Sequence, residues 1–556
     1  MSISERLLQA HGTDLVEEPS RDGVPTFRVA REKIEDVCRF LRKDETEPMD
    51  MLMDLCGVDY RDRQDRFEVV YQLFNTPNHV RIRLKTSCPE SDPSVPSVYG
   101  VWKGADWFER EVFDMYGVSF SGHPDLRRLL TGEYFKGHPL RKDYEPGKRF
   151  PVTEADIYRP PAGKADEGDF ETMLVNVGPT HPAMHGTFRV MARLDGEKIV
   201  WADTEIGYLH RCFEKMSETH NYQQVIPYTD RLNYCSSFLN NVAYTKTIEE
   251  MMGLEIPERT QAVRVILGEF SRIMDHCVCL GTNLVDLGAL TNYWYYYQIR
   301  EEIYTLLEKC CGARLTTAYT RIGGLSKDIP EDFGEMVDYL LKIIPPLIDD
   351  VDKIVTKNRI FQMRTMGVGG ITPENAIEWG WTGPCLRAAG VPYDVRKAFP
   401  YYGYDRYDWE VPVGTTGDTF DRYTVRMEEI RQSLRIIRQA ADSLPGGPIM
   451  VDDPRVHLPG KDEVYNTMEG LIYHFEKVMF GLTPPEGDWY GFSEGANGEL
   501  GFYVVSDGTP NPYRVRCRPP CFAIYQAFRE MLEGHMVADI VAILGSLNVI
   551  AGELDR

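Results

Sequence analysis

No stretch of this sequence stays apolar for long enough to cross a bilayer. The best candidate, Ile540 to Gly552, is interrupted by Ser546 and Asn548 and falls short of the roughly 20 residues a spanning helix needs. The opening, Met1-Ser2-Ile3-Ser4-Glu5-Arg6, lacks the basic-then-apolar pattern of an export signal. If the chain works at a membrane, other subunits must hold it there. A Lys/Arg-rich stripe is missing too: 62 basic against 85 acidic side chains leave a formal charge of −23. That balance argues against a nucleic-acid partner and against direct adhesion to an anionic lipid surface. No G-x-G-x-x-G opens a helix after a strand, so nothing here reads as a nicotinamide site. None of the 12 cysteines makes a C-x-x-C pair; Cys277/Cys279, Cys310/Cys311 and Cys517/Cys521 are the near misses. Residues two apart on a helix point to different faces, so Cys277 and Cys279 cannot easily share a metal. The scattered thiols read as reduced, and no complete zinc or iron–sulfur site is expected in this chain.

What is present suits a folded protein of more than one domain: 556 residues, 43% apolar and 26% charged. The first part reads as α+β. Phe67, Val69, Tyr71 and Leu73 alternate with Glu68, Val70 and Gln72. The turn Asn75-Thr76-Pro77-Asn78 follows, and Val80, Ile82 and Leu84 then alternate with Arg81, Arg83 and Lys85. The pattern predicts a hairpin with one buried face. From Pro139 to about Asp169 prolines and glycines stand between charges, which predicts an extended connector. Residues 1–148 are therefore taken as the first domain, 149–169 as linker and 170–556 as the second.

The second domain reads as mainly helical. One apolar stripe runs through Val263, Ile266, Leu267, Phe270, Ile273, Met274, Cys277 and Leu280. Another runs from Phe333 through Val337 and Leu340 to Ile344, with Pro345-Pro346 expected to stop the helix. Met427, Ile430, Leu434 and Ile437 form a third, with arginines expected on its other face.

Two sets of ordered motifs carry a family resemblance. Glu109-Arg110-Glu111-Val112-Phe113-Asp114-Met115-Tyr116, then His123 and Arg127-Arg128-Leu129-Leu130, then Gly137-His138-Pro139-Leu140-Arg141-Lys142-Asp143-Tyr144, resemble the 30-kDa subunit of respiratory complex I. Taken alone, the first run would be a charged surface turn after a helix. Gly178-Pro179-Thr180-His181-Pro182-Ala183-Met184-His185-Gly186 is similar to the opening motif of the 49-kDa subunit. It is joined by Ile206-Gly207-Tyr208-Leu209-His210-Arg211, Tyr228-Thr229-Asp230-Arg231-Leu232-Asn233-Tyr234, Asp286-Leu287-Gly288-Ala289, Ser506-Asp507-Gly508 and Gly552-Glu553-Leu554-Asp555-Arg556.

The resemblance implies a second domain folded like the large subunit of [NiFe] hydrogenases. An active hydrogenase would need two C-x-x-C pairs, because soft thiolates select such metals. Here Lys215 stands three residues after Cys212, and Cys517 and Cys521 are wrongly spaced. The resemblance instead implies quinone reduction. His185 and Tyr234 would bind the headgroup, Asp286 would be the carboxylate on His185, and His181 would be a further, weaker quinone contact. It implies no chemistry for the first domain, no activity of the chain alone and no cofactor of its own. Electrons would come from a [4Fe–4S] cluster held next to Arg211 by an adjacent small subunit, and a membrane subunit would meet the quinone channel. The expected setting is the cytoplasmic face of a bacterial inner membrane, in a proton-pumping NADH:quinone oxidoreductase. Without the motif context, His185 reads as a turn residue, Tyr234 as a core aromatic and Asp286 as a helix cap. Arg211 alone reads as the partner of Glu214 or a neighbour.

Two positions depart from the family pattern. Cys212 stands where Gly or Ala is usual, and Thr316 stands where many relatives carry a His near the cluster. Thr316 cannot be a cation, which suggests a low-potential cluster with weak pH dependence and a low-potential quinone such as menaquinone. Alternatives remain open on sequence: a ferredoxin or other donor to the same chemistry, a related membrane hydrogenase, and a non-catalytic assembly scaffold.

Overall fold

The computed structural model describes residues 3–145, 147 and 172–556. The linker expected at 149–169 lies outside the described residues.

The N-terminal part is built on a five-stranded sheet. Its strands are β1 (Leu15–Glu18), β2 (Thr26–Val29), β3 (Met51–Asp59), β4 (Phe67–Asn75) and β5 (Val80–Cys88), in the order β1-β2-β5-β4-β3. β2 and β5 run parallel; the other neighbours are antiparallel. The hairpin lies where the alternation put it, with Phe67 opposite Cys88 and Asn75 opposite Val80. Helix α1 (Ile34–Arg42) buries Ile34, Val37, Cys38 and Leu41, one face of a helical period. Helix α2 (Ala105–Tyr116) packs on β3.

The expectation of one buried face on the hairpin is corrected. Every residue of β4 is buried, Glu68 and Gln72 included. The second face is covered from far along the chain. Cys56, Val58 and Val70 pack with Tyr490, Tyr503 and Val505, while Arg81 pairs with Glu499 at 2.8 Å and Arg83 and Lys85 reach Asp488. A charged alternation that reads as solvent-facing is thus an internal ionic seam.

The run Glu109 to Asp114 is corrected in the same way: it is no surface turn but the buried face of α2. The Asp114 carboxylate accepts the backbone N–H groups of Leu129, Leu130 and Thr131 and pairs with Arg128. Arg110 donates to the carbonyls of Arg127 and Arg128. Glu111 receives Arg516 at 2.6 Å and Arg556 at 2.5 Å.

Glu109 accepts from Ser97 Oγ and the Val98 N–H, and burial pushes its carboxyl up to about 8. The folded chain then keeps a proton that the unfolded chain gives up above its ordinary value of 4.5. Stability contributed by this group is present at low pH and lost as pH rises toward 8. Glu109→Gln is expected to flatten that part of the stability–pH curve in chemical denaturation. A curve of unchanged slope would contradict this assignment.

Residues 172 onward open with an antiparallel sheet of β6 (Met173–Val177), β7 (Arg189–Asp195) and β8 (Lys198–Glu205). Helices follow: α3 (Ser237–Met252), α4 (Glu258–Asp286), α5 (Leu290–Cys311), α6 (Phe333–Val351) and α7 (Thr419–Asp442). The antiparallel strands β9 (Gly487–Glu494), β10 (Glu499–Ser506) and β11 (Arg514–Arg518) then lead to α8 (Asp539–Leu547). The three predicted stripes form one helical core, in which Phe270, Ile273, Ile344 and Ile437 are fully buried.

Pro345 and Pro346 do not stop α6, which continues to Val351. Each of the two interior prolines costs about 3 kcal/mol. Ile348 and Val351 continue the buried stripe, each worth roughly 1.5–3 kcal/mol, and offset much of that cost. On α7 the expected outer arginines divide. Arg431, Arg435 and Arg438 are partly exposed, whereas Arg422 and Arg426 are buried and donate to the carbonyls of Gly369, Gly417, Ser546 and Leu547. These bonds lock α8 onto α7.

The two stretches share a core. Trp107 and Phe108 of α2 meet Phe522 at ring distances of 5.4 and 5.3 Å, and Trp102, Trp379 and Tyr525 belong to the same buried cluster.

Candidate functional site

The site is built on the C-terminal end of α4. The loop between β6 and β7 reaches it through a short 3₁₀ turn, Pro182–Met184. His181 caps the turn, its Nδ1 accepting the Ala183 N–H at 3.3 Å, and His185 closes it at φ +53°. Met184 and Phe188 are buried and hold the loop down. Gly178 sits at φ +85°, and a side chain there would lie 2.0 Å from the Phe188 carbonyl oxygen, so only glycine fits.

This leaves the His185 ring half-buried, with Nε2 hydrogen-bonded to the carboxylate of Asp286 across 101 residues of sequence. Asp286 is the last residue of α4, where the helix dipole disfavours an anion, so the carboxylate gains from a proton-bearing partner. The bond fixes the ring orientation. The other ring nitrogen, Nδ1, has no partner among the described residues.

Two neighbours of this pair carry no sequence signal. A Cβ added at Gly545 of α8 would stand 3.2 Å from His185 Cε1 and 3.0 Å from Asn283 Nδ2. The glycine lets the helix backbone pass directly under the ring. Asn283, one turn before Asp286, donates to the Ala542 carbonyl and ties α4 to α8.

Tyr234 stands against the same helix further back. Asn233 accepts the Cys235 N–H and donates to Asp275 at 3.0 Å, which pins the backbone on either side of the tyrosine. Asp275 and Asp286 are separated by about 16 Å of helix rise. Tyr234 is 41% exposed, so the core-aromatic reading is excluded. Its inner portion is desolvated, which pushes the phenol up to about 12, with Cys235, Asp275 and Tyr304 adding to the shift. The hydroxyl is therefore a neutral donor at physiological pH.

His181 is exposed, and no contact among the described residues joins it to the His185–Asp286 pair. Arg211 is exposed and donates to the Arg231 carbonyl at 3.3 Å. The pairing of Arg211 with Glu214 is corrected: Glu214 is buried among Arg514, Arg516 and Arg556 and is held down to about 2, its burial outweighed by these cations. No carboxylate among the described residues pairs with Arg211.

The surroundings are strained and apolar. Cys212, Thr316 and Ala318 join His185 at positive φ, and Thr316, β-branched at +59°, is the least suited to it. The loop bearing Thr316 is tied to the Tyr228–Tyr234 motif by the Ala318 N–H, which donates to Asp230. Next to Asp286, Val285, Leu290 and Trp294 are exposed, Trp294 by 63%. Tyr293 and Tyr297 stack at 3.7 Å along α5, and Arg300 covers Tyr297. Among the described residues no cluster of three or more His, Cys, Asp or Glu side chains is arranged to hold a metal ion, and no helix is long and apolar enough to cross a membrane.

Two components of one respiratory enzyme class meet in this chain. The family model of the 49-kDa subunit of respiratory-chain NADH dehydrogenase matches residues 286–556, and that of the 30-kDa subunit matches 27–150. The chain is 50% identical over 554 residues to the NADH-quinone oxidoreductase C/D subunit of Bdellovibrio bacteriovorus, covering 99% of this chain and 96% of that protein. It is 38% identical over 572 residues to the C/D subunit of Methylococcus capsulatus, covering 98% and 96%. The NADH-quinone oxidoreductase D 1 subunit of Sorangium cellulosum is 52% identical over 387 residues, 69% of this chain and 96% of its own length. The chain belongs to the family of NADH-quinone oxidoreductase C/D subunits, in which the 30-kDa and 49-kDa types are fused.

Proposed function

We propose that this chain, as a subunit of the peripheral arm of a proton-pumping NADH:quinone oxidoreductase, forms the site at which the quinone headgroup is reduced. The observation that carries the reading is the His185–Asp286 pair, held over a glycine and leaving one imidazole nitrogen unengaged. The half-exposed hydroxyl-bearing Tyr234, on a turn packed against the helix that ends in Asp286, and the exposed apolar residues beside Asp286, support it.

Turning a quinone into a quinol takes two electrons and two protons. The Tyr234 hydroxyl donates to one carbonyl oxygen and gives up its proton as incoming electrons make that oxygen basic. His185, protonated on both nitrogens, gives the Nδ1 proton to the other oxygen and keeps Nε2–H on Asp286. Water returns both protons. Asp286 accepts from Nε2 before and after the transfer, so the ring does not turn during the reaction. His181, with Nδ1 engaged in its own turn, has only Nε2 to offer the headgroup.

The electrons come from a [4Fe–4S] cluster of a neighbouring small subunit, with NADH as the ultimate donor. Arg211 suits that contact: an exposed guanidinium with no carboxylate on it favours a group that gains negative charge on reduction. Thr316, without a cationic form, fits a low-potential cluster and menaquinone. A membrane subunit holds the chain at the cytoplasmic face and delivers quinone past Leu290 and Trp294. The fold of the larger domain is that of [NiFe]-hydrogenase large subunits.

A photoreactive quinone analogue, applied to membranes containing the whole complex, is expected to label the segments around His181–Gly186 and Asn233–Ser236. Labelling confined to other parts of the chain, or to other subunits, would contradict the site.

A further inference from the structure

Ten of the twelve cysteines are buried, and two, Cys212 and Cys311, are partly open to solvent. Their surroundings are opposite. The Cys311 Sγ–H donates to the carbonyls of Leu307 and Ala313 at 3.0 and 3.2 Å, and burial pushes this thiol up. Carbonyl oxygens accept protons in hydrogen bonds but do not take them, so Cys311 is held as a thiol. Cys212 instead faces an imidazole nitrogen, His210 Nε2, at 3.4 Å.

The tautomer of that imidazole follows from its other contact. His210 Nδ1 lies 2.7 Å from the backbone oxygen of Asp555, and a carbonyl can only accept, so Nδ1 carries the hydrogen. In the neutral ring Nε2 is then the basic atom, aimed at the sulfur. Nucleophile, base and orienting group stand in the order that activates a thiol. Burial alone would lower His210, but the bond from the sulfur, its charge once ionised and the Asp555 carbonyl outweigh it and raise the imidazole, which favours passage of the proton from sulfur to Nε2. The arrangement is tightly built. Asp555 also accepts the N–H groups of Gly207 and Leu209 with its carboxylate, and Cys212 itself is held at φ +53°. The other titratable groups nearby are Tyr144 and the Asp555 carboxylate, with Arg211 and Lys215 on the same turn as Cys212.

We propose that Cys212 and His210 form a nucleophile–base pair, and that Cys212 is the thiol of this chain at which small disulfides and soft electrophiles form a covalent bond. With a disulfide R–S–S–R, His210 Nε2 takes the Cys212 proton. The sulfur forms a mixed disulfide as the R–S–S–R bond breaks, and the departing R–S⁻ receives the proton. No net oxidation occurs beyond the disulfide supplied.

The full-length chain is treated with limiting iodoacetamide, and in parallel with oxidised glutathione, and the modified cysteines are identified by mass. Cys212 is expected to react first, about tenfold or more faster than Cys311 at neutral pH. His210→Gln is expected to remove most of that advantage with the circular dichroism unchanged. Should His210→Gln not fold, the wild-type comparison decides: Cys212 labelled well ahead of Cys311 supports the pair, and equal labelling of Cys212 and Cys311 overturns it.

Discussion

Asp286→Asn is expected to lower quinone reduction by about 10- to 100-fold while electron flow to an upstream artificial acceptor stays at the wild-type rate. The amide fills the same space and can still accept from His185 Nε2, so neither packing nor the end of α4 is at stake. What disappears is the negative charge of the carboxylate facing the imidazole. A charge-assisted bond is about twice as strong as a neutral one, and the doubly protonated ring that delivers the second proton depends on it. Asp286→Glu, which restores the charge one methylene further out, is expected to regain part of the rate. Equal loss in Asn and Glu variants would assign Asp286 a packing role only.

The largest stability effect is expected at Arg516. Its guanidinium is buried between Asp54 at 2.7 Å, Glu111 at 2.6 Å and Glu214 at 3.5 Å. Glu111 and Glu214 are shared with Arg556, but Asp54 has no other hydrogen-bond partner among the described residues. Arg516→Ala leaves that carboxylate buried and uncompensated, a loss of about 3–5 kcal/mol. Because Asp54 lies on β3 and Arg516 on β11, the loss falls on the junction between the 30-kDa and 49-kDa stretches. Adding Asp54→Asn to Arg516→Ala is expected to recover much of the stability, since the stranded charge is then removed. Thermal unfolding of the four proteins of this cycle measures it; additive losses would mean that the two residues do not depend on each other.

Partner distance decides which features of the fold are legible in the sequence. The β4–β5 hairpin and the three helical stripes were legible because alternation and 3.6-residue periodicity record burial against near neighbours. The same alternation misled on the face of Glu68, Val70 and Gln72, where Val70 packs against Tyr490, Tyr503 and Val505, some 400 residues on. Pro345-Pro346 reads as a stop from local cost alone, whereas the helix continues because Ile348 and Val351 are buried. The charged run Glu109–Asp114 was legible as a motif but not as an interface, since its cations sit at Arg128, Arg516 and Arg556.

At the site, no periodicity relates His185 to Asp286; they lie in separate motifs, and folding joins them. Gly545 was invisible because a helical glycine in an apolar segment has no signal of its own. Asn233 stood inside a motif without a stated role, and it is the residue that pins Tyr234. In the sequence Cys212 is only a departure from the family pattern; the imidazole beside it gives that departure a chemical meaning.

The most direct measurement is quinone-analogue reduction by membranes carrying Tyr234→Phe, set beside electron transfer to an acceptor that draws upstream of the quinone. The phenylalanine keeps the ring and removes only the hydroxyl, so assembly and upstream transfer are expected to match wild type while quinone reduction is lost. Quinone reduction at the wild-type rate would mean that Tyr234 does not meet the headgroup, and that the site formed with His185 and Asp286 is not where the quinone is reduced.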